Sequence, residues 1–247
     1  MSNYRDLHQH LALLEEKGKL IRVKRAIQKE TELHPLVRWQ YRGGIPEEDR
    51  KAWLFENVTD AQGRHYQIPV TGGALAASPQ IYALGLGCDV SGIEKTWQRA
   101  YRNPIAPVIV DDGPVHGEVH LGDEVKKLGF EEFPTPISTP GFDNAPYTTC
   151  THCLTKDIET GGRNMGNYRG HIKARDRIGM YPMMGQHIII HWEKCKARGV
   201  PLQAALVVGA PPCVSYAAVQ KVPYGVDELA IAGGLAGEPI KLVKCKT

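Results

Sequence analysis

The stretch CLTKDIETGGRNMGNYRG, residues 153–170, decides the fold. Residues 148–154 look like a strand, Glu159-Thr160-Gly161-Gly162 is turn chemistry, and Arg163 opens a second strand that runs to Gly170. The stretch therefore reads as a β-hairpin. Its second arm carries Asn164 and Arg169, an amide and a permanent cation. Strict alternation puts these two on opposite faces. One site can use both only if Gly166 allows a bulge or a bend.

Downstream of the hairpin, residues 185–198 read as a helix stopped by Gly199, with Gln186-His187 at its entry. Residues 204–208 are a fully apolar strand leading into a loop, Gly209-Ala210-Pro211-Pro212. Residues 227–235 suit a short helix and residues 240–245 a last strand. Glu238 sits between them in a Gly-Glu-Pro turn. Asn164, His187 and Glu238 supply the amide, imidazole and carboxylate that can hold a hard or borderline divalent cation. His187 and His191 share a helix face, but the three isoleucines between them favour His187 as the ligand and a structural His191.

Upstream, Ser2 can cap a helix over residues 4–17, with Leu7, Leu11 and Leu14 on one face and Gly18 as the stop. Strands are expected at 20–24, 53–57 and 66–71, and helices at 32–41, 79–86 and 93–101. This is a small α/β unit ending near Asn103-Pro104. Beyond it, further strands are expected at 106–110 and 115–121, separated by Asp111-Asp112-Gly113-Pro114. Mostly β with inserted helices suggests a barrel-like second unit.

The 247 residues suffice for one large or two small domains, and 42% hydrophobic with 23% charged residues is ordinary globular composition. A net charge of +3 gives no argument for nucleic-acid binding. No apolar run suits a bilayer, and the N-terminus lacks an apolar signal region, so a cytoplasmic protein is expected. Six scattered cysteines read as free thiols. Cys150 and Cys153, three apart on a strand, diverge and are not read as a metal or redox pair.

With these landmarks in place, the chain resembles the UbiD family of reversible decarboxylases, which use prenylated FMN. CLTKDIETGGRNMGNYRG resembles the family's hairpin and cofactor-binding strand, with Asn, four residues, Arg. MMGQHIII resembles its Gln-His helix entry, ALVVGAPP its apolar strand and loop, and VPYGVDELAIAGGLAGEPIKLVKC the segment with its acidic ligand.

The resemblance implies an α+β fold: a small N-terminal α/β domain, 1–104, then a split β-barrel, flavin reductase-like prenylated-FMN-binding domain, 105–247, incomplete at its C-terminal end. It implies Asn164, His187 and Glu238 as ligands of a divalent cation, commonly manganese, beside potassium. Met165, Gly166, Asn167, Tyr168, Arg169 and Gln186 would line the flavin, and Arg169 would face the carboxylate of an aromatic or unsaturated acid.

In the family, the segment after Thr247 carries two catalytic acids and leads to a C-terminal α/β domain, and Lys246 stands where many relatives have an acid. The expected activity is therefore that of a carboxy-lyase completed elsewhere: a split-enzyme subunit with a partner chain, a fragment, or a reduced relative that binds flavin as a non-catalytic scaffold. A plain flavin reductase-like barrel is a further alternative. An unpaired barrel edge favours a partner or a homo-oligomer. STPGFDNAPYTT departs from the family pattern near the substrate side, which leaves the substrate class open.

Overall fold

The computed structural model describes residues 6–127 and 129–247. Helix α1 (Leu7–Glu16) starts at Asp6, whose side chain accepts the Gln9 N–H at 2.8 Å. The expected cap, Ser2, lies outside the described residues. Strands β1 (Leu20–Val23) and β2 (Ile27–Gln28), helix α2 (Leu33–Arg42), and strands β3 (Ala52–Phe55), β4 (Val58–Thr59) and β5 (Val70–Gly72) follow. The order β1-β3-β5 makes a small mixed sheet, with β1 parallel and β5 antiparallel to β3. The strand expected over 66–71 is shorter, because residues 66–69 leave the ladder. Helix α3 (Pro79–Leu86) is bounded as its sequence dictates. Ser78 caps its start, Pro79 needs no N–H there, and Gly87 closes it at φ 67°.

Helix α4 (Ile93–Arg102) leads to β6 (Val108–Ile109). No strand forms over 115–121. Val115, Val119 and Leu121 alternate in sequence but all stay exposed, so the pattern has no core to face. Helix α5 (Asp123–Lys127) and β7 (Tyr147–Thr148) then precede the hairpin of β8 (Thr151–Lys156) and β9 (Arg163–Asn167). A second hairpin, β10 (Gly170–Ala174) and β11 (Arg177–Met180), continues directly from it. The remaining elements are α6 (His187–Ala197), β12 (Ala204–Val208), α7 (Pro212–Ala217), α8 (Glu228–Ala236) and β13 (Lys241–Leu242). Pro211-Pro212, expected as loop, opens α7 with a proline in its first turn.

The result is an α+β fold whose strands lie in five small sheets, with no closed barrel among the described residues. The sheet that matters most is β12-β8-β9, antiparallel throughout. Its register pairs Thr155 with Asn164 and Cys153 with Gly166 on one face, and Leu154 with Met165 and His152 with Asn167 on the other.

The largest core cluster crosses residue 104 freely. Leu86 and Ala100 pack with Met165, Val214, Leu229, Ile231 and Leu235. Helix α8 is apolar nearly all round and buried accordingly. Two glycines let it seat closely. A Cβ on Gly233 would lie 2.3 Å from the Ile105 carbonyl oxygen, and one on Gly234 would lie 2.8 Å from that of Ala100. All six cysteines are free.

Candidate functional site

Strand β9 is regular, so Gly166 does not supply the bulge or bend that would bring Asn164 and Arg169 to one side of the strand. Gly166 instead makes room for a side chain: a Cβ there would sit 2.7 Å from the Tyr168 hydroxyl oxygen, so the Tyr168 ring folds over it. The chain turns only afterwards, in the Tyr168-Arg169 link to β10. Alternation then divides the expected cofactor-lining residues. Asn164, Gly166 and Tyr168 lie on the face covered by α6, and Met165 and Asn167 on the face covered by α7 and α8.

On the first face, Asn164 is 4% exposed; its Nδ2 makes no hydrogen bond of full geometry, although the side chain interacts with the Tyr168 hydroxyl. It lines a narrow cleft with His187, His191, Arg163, Asp157 and Tyr224. His187 is the first residue of α6, and Gln186 precedes it without capping the helix by its side chain. The Gln186 Oε1 instead accepts the Met183 N–H at 2.6 Å. His191 is buried, hydrogen-bonds Thr155 at 2.9 Å, and is held below the usual histidine range by burial.

On the second face, His152 bridges Asn167 through Nδ1 and Ser215 through Nε2, the latter at 2.9 Å. Burial lowers its pKa. Asn167 thus ties β9 to α7.

The free edge of β9 carries a residue that sequence reasoning missed. Glu228, 2% exposed, accepts the Met165 N–H on Oε2 at 2.9 Å. Burial pushes its carboxyl up to about 6, and no cation among the described residues pairs with it. The nearby Arg163 pairs with Asp227 at 3.0 Å instead. Tyr168 responds to the same surroundings: burial raises its phenol, a hydrogen bond from the Asn164 side chain opposes the rise, and the Glu228 charge adds to it. Glu238 lies elsewhere. It is exposed, past the far end of α8, ten residues on from Glu228 and so about 15 Å along the helix direction. The structure brings Asn164 and His187 to one cleft and Glu228 to the adjoining strand edge, and leaves Glu238 out.

A buried carboxylate without a cation and a buried amide nitrogen without a well-formed hydrogen bond are costly unless something else satisfies them. Such a set suits a divalent cation, with the uncapped start of α6 favouring an anion beside it. Arg169 is exposed and makes no ion pair or hydrogen bond among the described residues, so its guanidinium is available to a ligand.

The cleft is framed by an ionic latch. Asp157, 2% exposed, accepts from Lys194 Nζ at 2.6 Å and from the Tyr224 hydroxyl, and these donors hold it well below the usual carboxylate range. A carboxyl depressed on folding contributes stability that is present above about pH 4 and lost as pH falls through its folded value. Asp157→Ala is expected to cost roughly 2 kcal/mol in urea unfolding at pH 7, intermediate between exposed and buried pairs. The gap to wild type should narrow at acid pH. A constant gap from pH 7 to pH 3 would show that charge is not its source.

Comparison with known proteins fits this geometry. Residues 11–100 match the 3-octaprenyl-4-hydroxybenzoate carboxy-lyase N-terminal domain, and residues 108–247 match the Rift-related domain of the same family. The chain is similar to a phenolic acid decarboxylase of Bacillus subtilis, 27% identical, covering 98% of this chain and 51% of the relative. Among solved structures it resembles vanillic acid decarboxylase from Sedimentibacter hydroxybenzoicus in closed form, with TM-score 0.88 and 27% identity, covering 100% of this chain and 52% of that one. It also resembles the UbiD-class enzyme HmfF of Pelotomaculum thermopropionicum in complex with prFMN, with TM-score 0.82 and 28% identity, covering 99% and 53%. The chain spans about half the length of the curated relatives it matches. Two family domains in order, one of them matched over more than half of the chain, together with this likeness of fold, establish that the chain belongs to the UbiD family.

Proposed function

We propose that this chain is the cofactor-holding portion of a UbiD-type carboxy-lyase acting reversibly on an aromatic or otherwise unsaturated carboxylic acid. The observation that carries the reading is Glu228, a cation-free buried carboxylate at the edge of the strand that bears the buried Asn164 side chain. In this reading Asn164, His187 and Glu228 hold a divalent cation, manganese by preference, with potassium nearby. Glu228 takes the place first expected for Glu238. The cation offsets the phosphate charge of prenylated FMN, which the positive end of α6 also favours. The bound prenylated flavin supplies an electron sink for the carbon that loses carbon dioxide.

This chain's residues then bind and orient. Arg169 grips the substrate carboxylate in a two-pronged hydrogen bond, and the Tyr168 ring over Gly166 shapes the wall beside it. Residues 1–104 form the N-terminal domain and 105–247 contribute to a split-barrel flavin domain. The other half of the family's length, in a partner chain or in a further part of the same polypeptide, supplies the proton-donating acid. No helix among the described residues is long and apolar enough to cross a membrane, and a cytoplasmic setting is part of this reading.

Anaerobic purification from the native host, followed by native mass spectrometry of every co-purifying chain, tests the proposal. The expected result is a mass increment for prenylated FMN and one divalent metal ion, in an assembly that exchanges carbon dioxide with aromatic acids. An assembly that holds neither flavin nor metal would overturn it.

A further inference from the structure

His187 has no hydrogen-bond partner among the described residues, although a metal-binding imidazole is normally oriented through its surroundings. What touches it is an aromatic ring. Tyr224 stands edge-on to His187, with ring centres 5.2 Å apart and planes at 80°, and also to His191, at 5.8 Å and 72°. Tyr224 comes from the loop between α7 and α8 and is 43% exposed, so packing alone leaves its ring loosely held. Its hydroxyl donates to the buried Asp157 carboxylate and lies 3.4 Å from Lys194 Nζ.

Asp157 is itself fixed at the base of the β8–β9 hairpin. Its N–H donates to the Gly162 carbonyl at 2.8 Å, and its Oδ1 accepts the Glu159 N–H at 2.8 Å. The hairpin that carries Asn164 is therefore linked rigidly to the ring that faces His187.

We propose that Tyr224, anchored by Asp157 and Lys194, is a positioning residue that sets the orientation of the His187 imidazole relative to Asn164. The inference rests on the reading of His187 as a cation ligand. A T-shaped ring contact fixes the plane of an imidazole without using either nitrogen, so both stay available for a ligand or water. A purely structural role is the competing account, in which Tyr224 only helps Lys194 fasten α6 to the hairpin. The two accounts differ in which variant weakens cation binding.

The test is titration of the full chain with Mn2+ alone, followed by its EPR signal, with thermal unfolding recorded for every variant. Tyr224→Phe keeps the ring and loses the anchor; Tyr224→Leu loses both. Outer residues around a metal typically tune affinity by about 10- to 100-fold. The expected order is about tenfold weaker binding for Tyr224→Phe and roughly 100-fold for Tyr224→Leu, with an altered EPR line shape. Glu159→Gln loosens the same latch, through Lys194 at 3.0 Å and Arg198 at 2.6 Å, without touching Tyr224. It should leave Mn2+ affinity unchanged, because the Asp157 carboxylate still holds the Tyr224 hydroxyl. Wild-type affinity in Tyr224→Leu, or equal weakening by Glu159→Gln, would overturn the proposal. His187→Ala separates the two levels: if it binds Mn2+ as wild type does, the reading of His187 as a ligand has failed.

Discussion

Arg169→Ala, in the complete assembly loaded with cofactor, is expected to lower kcat/KM by roughly 30- to 1,000-fold, equivalent to about 2–4 kcal/mol for a charge-paired hydrogen bond. Folding should be unaffected, within about 0.5 kcal/mol, because Arg169 is exposed and makes no ion pair or hydrogen bond among the described residues. That combination is the signature of a group kept for a ligand. Arg169→Lys retains the charge and loses the planar fork, so it should fall between wild type and alanine. Steady-state kinetics beside thermal unfolding gives both numbers. Unchanged turnover in Arg169→Ala would remove the carboxylate-orienting role from this chain.

Glu228→Gln should have the opposite profile. The amide matches the carboxylate in shape and can still accept the Met165 N–H, which is bonded at 2.9 Å in the structure. Removing a charge that burial disfavours is expected to stabilise the metal-free protein at pH 7 by about 1–2 kcal/mol. Mn2+ affinity should fall by about 100-fold or more, since an anionic ligand has gone. Glu228→Ala would bind as poorly and also cost about 1–3 kcal/mol, because the Met165 N–H is left buried without an acceptor. Calorimetric Mn2+ titration and urea unfolding check the pair. Full affinity in Glu228→Gln would remove Glu228 from the ligand set. Greater stability with lost binding would mark Glu228 as a residue retained at a cost to the fold.

The two glutamates also show where sequence reading works and where it stops. Helix α3 is legible because Ser78, Pro79 and Gly87 each impose a local geometry. Helix α2 stops at Gly43, and α6 is followed by Gly199 at φ 67°, for equally local reasons. The β8–β9 hairpin follows from its Gly161-Gly162 turn. Glu228 and Glu238 bracket the same apolar run, ELAIAGGLAGE, and nothing local separates them. The difference is tertiary: one faces the edge of β9 and the other faces water. The family resemblance supplied the ligand types, and the burial of α8 is what favours Glu228 over Glu238 in the proposed site.

Other misses have similar causes. The β10–β11 hairpin is missed although Ile172, Ala174, Ile178 and Met180 alternate, because the connection Arg175-Asp176-Arg177 has no glycine or proline to mark a turn. The alternation at 115–121 has nothing to pack against. Alternation alone divides residues 164–168 between two faces, but which helix covers each face is settled only by the tertiary fold.

The glycine seat of α8 has a consequence in time. The carbonyl oxygens that receive Gly233 and Gly234 belong to Ile105 and Ala100, segments made long before α8 during synthesis. Glu228, at the start of that helix, takes its place only when α8 has docked on them. Contacts between segments more than a hundred residues apart form late and slowly compared with local ones. A growing chain can therefore display Asn164 and His187 without yet presenting a carboxylate beside them. The gathering of charge along the edge of β9 is thus timed to the closing of the core around α8.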